Sequence, residues 1–318
     1  MASSSDSSLF DGGADFDWIK YTTHRPAYSS SFYDRIWTYH QSHSNHWSLA
    51  HDVGTGPGNV AEVLGARFDK VIASDPSGFH TAVARRRLAA SNVTVEQCRA
   101  EDLVTLVGPD GHGKADLVTL AECIPLMDAE RAFSGFAELL RPGGTLAVWF
   151  YGKPIFVGEG QERSQQIYDR IAGKAFSRIF PIKGTIWQQA FTVMASWLDN
   201  IGFPSEDWTD VERTKWNHDK PLCFLPEEYF DFEVKHENSV TADEKVEERV
   251  DRDFWAKEHC GVDWVEGFID AQFPWKSTDD EIGAQLKPMY KELEEAMGGQ
   301  GSKTKIAWPV ALVLATRK

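Results

Sequence analysis

Apolar and polar positions alternate in two rhythms along the first half of the chain, and the switch between them predicts the fold. Short apolar runs at 49–53, 70–74, 93–98, 115–120 and 145–150 read as five strands. Between them, apolar residues recur at helical spacing over 58–66, 78–88 and 128–140, the last ending at Arg141-Pro142-Gly143-Gly144. An amphipathic helix is predicted over 31–44, with Ser29–Ser31 supplying N-cap candidates. Strands alternating with helices at this interval imply a doubly wound parallel sheet with right-handed crossovers.

Beyond Tyr151 the rhythm changes. Residues 155–207 and 221–300 read as helices rich in aromatic and acidic residues, and the charge run Asp243 to Asp253 reads as a solvated helix face. Val211–Trp216 alternates like a strand, and Lys305–Thr316 reads as a final strand. Pro309 argues for an edge position or a bulge in it. The expected organisation is a disordered tail at 1–15, an N-terminal lid and helix at 16–47 and a cofactor-binding core at 48–154. A helical cap formed by 155–207 and 221–300 follows strand five, and 208–220 with 301–318 supply closing strands that complete a Rossmann-like sheet of seven strands.

The chain has 318 residues, 48 acidic against 33 basic, for a net charge of −15. That balance leaves no basic face to neutralise phosphates and argues against a nucleic-acid partner. The four cysteines are widely spaced, with no C-x-x-C pair, so neither a zinc site nor a disulfide framework is expected. His24, His43, His46 and His51 cluster in sequence without the spacing of a metal site. No apolar stretch reaches the roughly 18 residues of a membrane span, and the first residues lack a basic and apolar leader pattern. A cytoplasmic location is the default expectation.

The candidate chemistry lies at the end of strand one. Asp52-Val53-Gly54-Thr55-Gly56-Pro57-Gly58 places three glycines in a tight turn that lets backbone approach a ligand. Ser74-Asp75 ends strand two, where a carboxylate can accept from ribose hydroxyls. The third glycine stands one residue early for a dinucleotide turn. The acid two before the first glycine would repel a pyrophosphate but suit an ammonium, which favours S-adenosylmethionine over NAD.

With Tyr21-Thr22-Thr23-His24-Arg25-Pro26-Ala27-Tyr28, Ser74-Asp75-Pro76-Ser77, Ala121-Glu122-Cys123 and Val148–Phe156, these residues make nearly the whole chain resemble the class I S-adenosylmethionine-dependent methyltransferases. Within them it is most similar to the fungal trans-aconitate methyltransferase group. The resemblance implies that Gly54, Thr55, Gly56 and Gly58 lie against the methionine part and that Asp52 faces its amino end. It implies that Asp75 and Pro76 take the ribose, and that Ala100 and Glu101 hold the adenine. Ala121 and Glu122 would stand beside the transferred methyl, and Tyr21 and Arg25 would close the lid. No metal is implied.

Relatives commonly carry an Ala-His-Trp-like stretch where this chain has Ile124-Pro125-Leu126, and Arg99 stands where they often have an acidic or polar group. The implied activity is methylation of a small molecule, a carboxylic acid or a fungal secondary metabolite. The alternative is a methyltransferase-like protein that binds the cofactor and regulates, or catalyses a non-methylating reaction. Arg25, Lys153 and Lys183 are candidates to pair with an acceptor carboxylate, and His218, Asp219, His236 and His259 are candidate bases.

Overall fold

The computed structural model describes residues 18–177, 186–225, 230, 232–272 and 280–318. The tail expected at 1–15 and Lys183 lie outside them. Five strands, β1 (Leu49–Val53), β2 (Lys70–Asp75), β3 (Val93–Gln97), β4 (Ala115–Ala121) and β5 (Leu140–Tyr151), lie parallel in the order β3-β2-β1-β4-β5. Every residue of β4 before Ala121 is buried, as expected of a central parallel strand covered on both faces.

The order reverses at β1, so the strand ends on either side of it open a crevice, the usual ligand position in such sheets. Before the sheet come α1 (Trp18–His24) and α2 (Ser30–His43). Ser29 caps α2 by accepting from the Phe32 N–H at 3.2 Å. The crossovers carry α3 (Asn59–Gly65), α4 (Gly78–Arg87), α5 (Leu103–Val107) and α6 (Ala129–Leu139). Asp128 caps α6 through the Arg131 N–H at 3.1 Å.

After β5 come β6 (Ile155–Val157), α7 (Glu162–Phe176), α8 (Ile186–Ala195), β7 (Trp208–Trp216), β8 (Lys245–Arg249), β9 (Ala256–Cys260), α9 (Val262–Gln272), α10 (Asp280–Ala296), β10 (Thr304–Ala307) and β11 (Val310–Arg317). β11 inserts antiparallel between β5 and β7. β8 then adds parallel to β7 at the edge, so among the described residues the sheet has eight strands rather than the seven expected.

Three further expectations are corrected. The charge run at 243–253 is no helix; it holds β8, whose charged side chains suit an edge exposed to water. The stretches expected to be wholly helical also contain β6 and β9, which sandwich β10 in a second, three-stranded sheet. Pro309 does not put the final strand at an edge. Lacking an N–H, it divides one apolar stretch into β10 and β11, and β11 lies inside the main sheet. The carbonyl of Pro309 accepts from the Gly152 N–H at 2.9 Å.

Candidate functional site

The register of β1 brings Asp52 beside Ala73 of β2 and Thr119 of β4. The chain then leaves the sheet through Gly54, Gly56 and Gly58, all at positive φ (68°, 53° and 91°). The Thr55 N–H pins the turn to the Ser74 carbonyl at 2.9 Å. A Cβ on Gly54 would stand 2.6 Å from Cβ and Sγ of Cys123, and one on Gly58 would stand 2.7 Å from Cδ1 of Leu88. At Gly56 nothing lies within 4 Å, so its missing side chain leaves room on the open side of the turn.

Two carboxylates fix this turn. Asp52 is buried; its oxygens accept from Thr55 Oγ1 at 2.6 Å and Thr119 Oγ1 at 2.9 Å. Burial pushes its carboxyl up to about 6, against the lowering effect of those hydroxyls. Asp75, at the end of β2, accepts from the N–H of Gly56 and of Ser77, both at 2.9 Å, and lies 3.2 Å from His80 Nδ1. A carboxylate has about four acceptor positions, so these contacts do not exhaust it. Glu101 faces elsewhere: it accepts from the Asp128 N–H at 2.9 Å and pairs with Arg99 at 3.4 Å.

A cavity of about 350 Å³ lies over the turn. It brings together Asp52, Gly54, Thr55, Gly56, Ala121 and Glu122 with Tyr21 and Arg25 from the segment that begins in α1. Gly58, Asp75, Pro76, Ala100 and Glu101 are not in its wall. Tyr28, Tyr33 and Tyr151 are, and the sequence pattern assigns none of them a role. Tyr151 ends β5 inside a stretch already singled out, Val148–Phe156, but nothing in a single sequence marks its hydroxyl as turned toward a site.

The roof is held by Arg25. Its Nη1 donates to Tyr151 Oη at 2.7 Å, its Nε to the Ala271 carbonyl at 3.1 Å and its Nη2 to the Gln272 carbonyl at 3.3 Å. The last two are end-of-helix carbonyls of α9, where a cation is favourable. Glu122 stands opposite, in the left-handed region at φ 64°, a conformation that side-chain-bearing residues hold only under constraint. Its Oε1 accepts from the Tyr151 N–H at 2.8 Å, while its buried Oε2 has no hydrogen-bond partner. Burial raises the Glu122 carboxyl well above the usual range, with the Tyr151 N–H and Arg25 pulling the other way.

Arg25 and Glu122 also line a second, smaller cavity of about 80 Å³. Its other walls come from the turn after β4 (Pro125, Leu126), from Phe150, from α8 (Trp187, Ala190, Met194), from Phe224 and from Gln272. The Ile124–Leu126 stretch that replaces the expected imidazole thus supplies apolar wall. Among the alternatives for acceptor chemistry, Lys153 is paired with Asp169 at 2.8 Å and Asp219 with Arg252 at 2.5 Å. Lys153, His218, Asp219, His236 and His259 are in the wall of neither cavity. Among the described residues no group of three or more His, Cys, Asp or Glu could hold a metal ion, and no helix is long and apolar enough to cross a membrane.

Comparison with known proteins gives the family of the chain. Residues 50–144 match a family model described as a methyltransferase domain. The chain is 42% identical to methyltransferase ptaI of Pestalotiopsis fici, over 96% of this chain and 94% of that one. It is 42% identical to methyltransferase cfoB of Aspergillus candidus, over 94% of each, and 40% identical to methyltransferase pgmE of Aspergillus terreus, over 94% and 93%. A solved structure described as a putative type II methyltransferase from Anaeromyxobacter dehalogenans superposes with a TM-score of 0.57 at 17% identity, covering 92% of this chain and 97% of that one, a likeness of fold.

Proposed function

The chain belongs to the class I S-adenosylmethionine-dependent methyltransferases, and we propose that it methylates a small organic acceptor held where its two cavities meet. The observation that carries this reading is that Arg25 and Glu122 line both cavities, so a molecule in one meets a molecule in the other at that pair.

The residues present fit the cofactor. The larger cavity has a wall without side chains at Gly56 and a buried carboxylate at Asp52, suited to an ammonium. In this reading Gly54, Thr55, Gly56 and Gly58 carry the methionine part, and Asp75 and Pro76 carry the ribose. Ala100 and Glu101 lie toward the adenine. Because Glu101 is already engaged by Asp128 and Arg99, the backbone at Ala100 is the better-supported adenine contact. When bound, S-adenosylmethionine supplies an electrophilic methyl group on a positively charged sulfur. The chain's task is then alignment and exclusion of water, with Tyr21, Arg25 and Tyr28 as roof and Ala121 and Glu122 beside the transfer point.

Of the two acceptor classes suggested by the sequence, the cavity walls favour an uncharged metabolite over a carboxylic acid. A carboxylate there would meet the carboxyl of Glu122, one amide at Gln272 and otherwise largely apolar side chains, with Arg25 already committed to Tyr151 and α9. This weighs against the finer likeness to the trans-aconitate group.

The test is incubation with methyl-labelled cofactor and small-molecule extracts, alongside calorimetry with S-adenosylhomocysteine. Labelled organic product together with binding of S-adenosylhomocysteine is expected. Turnover without label transfer, or label appearing in protein or nucleic acid instead, would overturn the reading.

A further inference from the structure

Apart from the indole of Trp187, the polar side chains of the smaller cavity are Arg25, Glu122 and Gln272. Arg25 is held by Tyr151 and the end of α9, but Glu122 Oε2 and Gln272 Nε2 are both buried without a hydrogen-bond partner. Leaving a buried polar group unmet costs about 1–3 kcal/mol, and such groups in a folded protein call for an explanation. Gln272 Oε1 lies 3.5 Å from Arg25 Nη1, which assigns the amide oxygen to the cation and leaves its NH₂ as a donor. Glu122 is fixed through its other oxygen by the Tyr151 N–H. One open acceptor and one open donor therefore share an apolar cavity at the transfer point.

We propose that Glu122 is the catalytic proton acceptor and that the methyl acceptor is an apolar ring compound bearing a phenol- or enol-type hydroxyl, with a carbonyl-type oxygen received by Gln272. This rests on the methyl-transfer reading above. A group that must lose a proton as it is methylated answers the open oxygen of Glu122. A simple alcohol holds its proton too tightly for a carboxylate to take, whereas a phenol, at about 10 like tyrosine, comes within reach of a carboxylate raised by burial. An ammonium acceptor would face the Arg25 charge. At about 80 Å³ the cavity is roughly half the size of one that holds a benzene ring. The ring therefore lies across the opening between the two cavities, with its hydroxyl toward Glu122.

The hydroxyl proton passes to Glu122 Oε2 as the oxygen forms its bond to the methyl carbon. The carbon–sulfur bond breaks and sulfur keeps the electron pair. The products are the methyl ether, S-adenosylhomocysteine and a protonated Glu122 that returns its proton to water. The groups facing Glu122 are Arg25, Tyr28, Tyr151 and Cys123, of which Arg25 alone is charged near neutral pH.

The test uses the full chain saturated with S-adenosylhomocysteine and 4-hydroxyacetophenone as a single-ring probe with both groups. Wild type should bind the probe more tightly as pH rises and Glu122 ionises. Glu122→Gln should still bind S-adenosylhomocysteine, lose that pH dependence and, when S-adenosylmethionine replaces S-adenosylhomocysteine, transfer methyl to the probe at least about 100-fold more slowly than wild type, the usual worth of a general base. Gln272→Leu should weaken the probe by about tenfold while the pH dependence remains. Failure of wild type to bind the probe, or a Glu122→Gln variant that keeps the pH dependence or transfers within threefold of wild type, would overturn the proposal. Failure of wild type to bind S-adenosylhomocysteine would instead sink the methyl-transfer reading itself.

Discussion

The N–H of Gly56 donates to Oδ2 of Asp75 at 2.9 Å, so the end of β2 holds the glycine turn in shape. The same carboxylate anchors Ser77 through its other oxygen. Asp75→Ala strands both N–H groups and removes the proposed ribose acceptor. Affinity for S-adenosylhomocysteine should fall at least about tenfold, since hydrogen bonds to a charged acceptor are each worth about 1.5–3 kcal/mol. Calorimetry measures this, and far-ultraviolet circular dichroism should show the fold retained. Unchanged affinity would contradict the assignment.

Gly54 and Gly56 should respond differently to the same substitution. Gly54→Ala drives a methyl into Cys123 in a left-handed backbone and should cost about 1–3 kcal/mol of stability. Gly56→Ala meets no atom within 4 Å and carries the conformational cost alone, about 1 kcal/mol. Its methyl would project into the open side of the turn, so cofactor affinity should fall more than stability. Urea denaturation and calorimetry on the two variants separate the effects.

Asp52 makes stability depend on pH in an unusual direction. Its carboxyl is raised from 3.8 in the unfolded chain to about 6 in the folded protein. As pH rises the unfolded chain releases this proton first, so stability falls between those values and levels off above them. Asp52→Asn removes the effect. The variant should gain relative to wild type by about 2–3 kcal/mol on going from acidic to neutral pH, at about 1.4 kcal/mol for each pH unit between the two values. Thermal melts of the cofactor-free protein at several pH values check it; a gain at acidic pH alone would reverse the sign.

Arg25 ties the segment after α1 to Ala271 and Gln272. Arg25→Ala should increase amide exchange over residues 18–28 while leaving β1 and β4 protected. Mass-spectrometric hydrogen exchange reads this directly, and equal protection in both proteins would show that the roof is held by other contacts.

The parallel core was legible because each strand is a short apolar run, most of them separated from the next by a helical pattern, and because β1 and β2 end in turn residues, at Asp52–Gly58 and Asp75-Pro76. β8 was not, because Lys245-Val246-Glu247-Glu248-Arg249 has no buried face of its own; its strand form comes from pairing with β7. Pro309 was noticed, but whether it ends a strand or moves it to an edge depends on partners far away in sequence. At the site, the glycine turn and both aspartates announced themselves through spacing. Gln272 did not: it ends an ordinary helix and meets Arg25 from 247 positions further along the chain. Glu122 showed as an acid after a strand, whereas its open oxygen is a property of packing alone.

The antiparallel insertion of β11 sets an order of assembly. A ribosome delivers β5 and β7 long before residues 310–317, yet these two strands touch only through β11. Until that segment emerges, β5 presents a bare hydrogen-bonding edge beside Tyr151, and β7 and β8 are tied to the earlier chain by side chains such as Tyr39 and Arg35 rather than by the sheet. Synthesis therefore passes through a stage in which the glycine turn is complete and two of the eight strands, β7 and β8, are not yet hydrogen-bonded to the rest of the sheet, the interval in which a chaperone has most to protect.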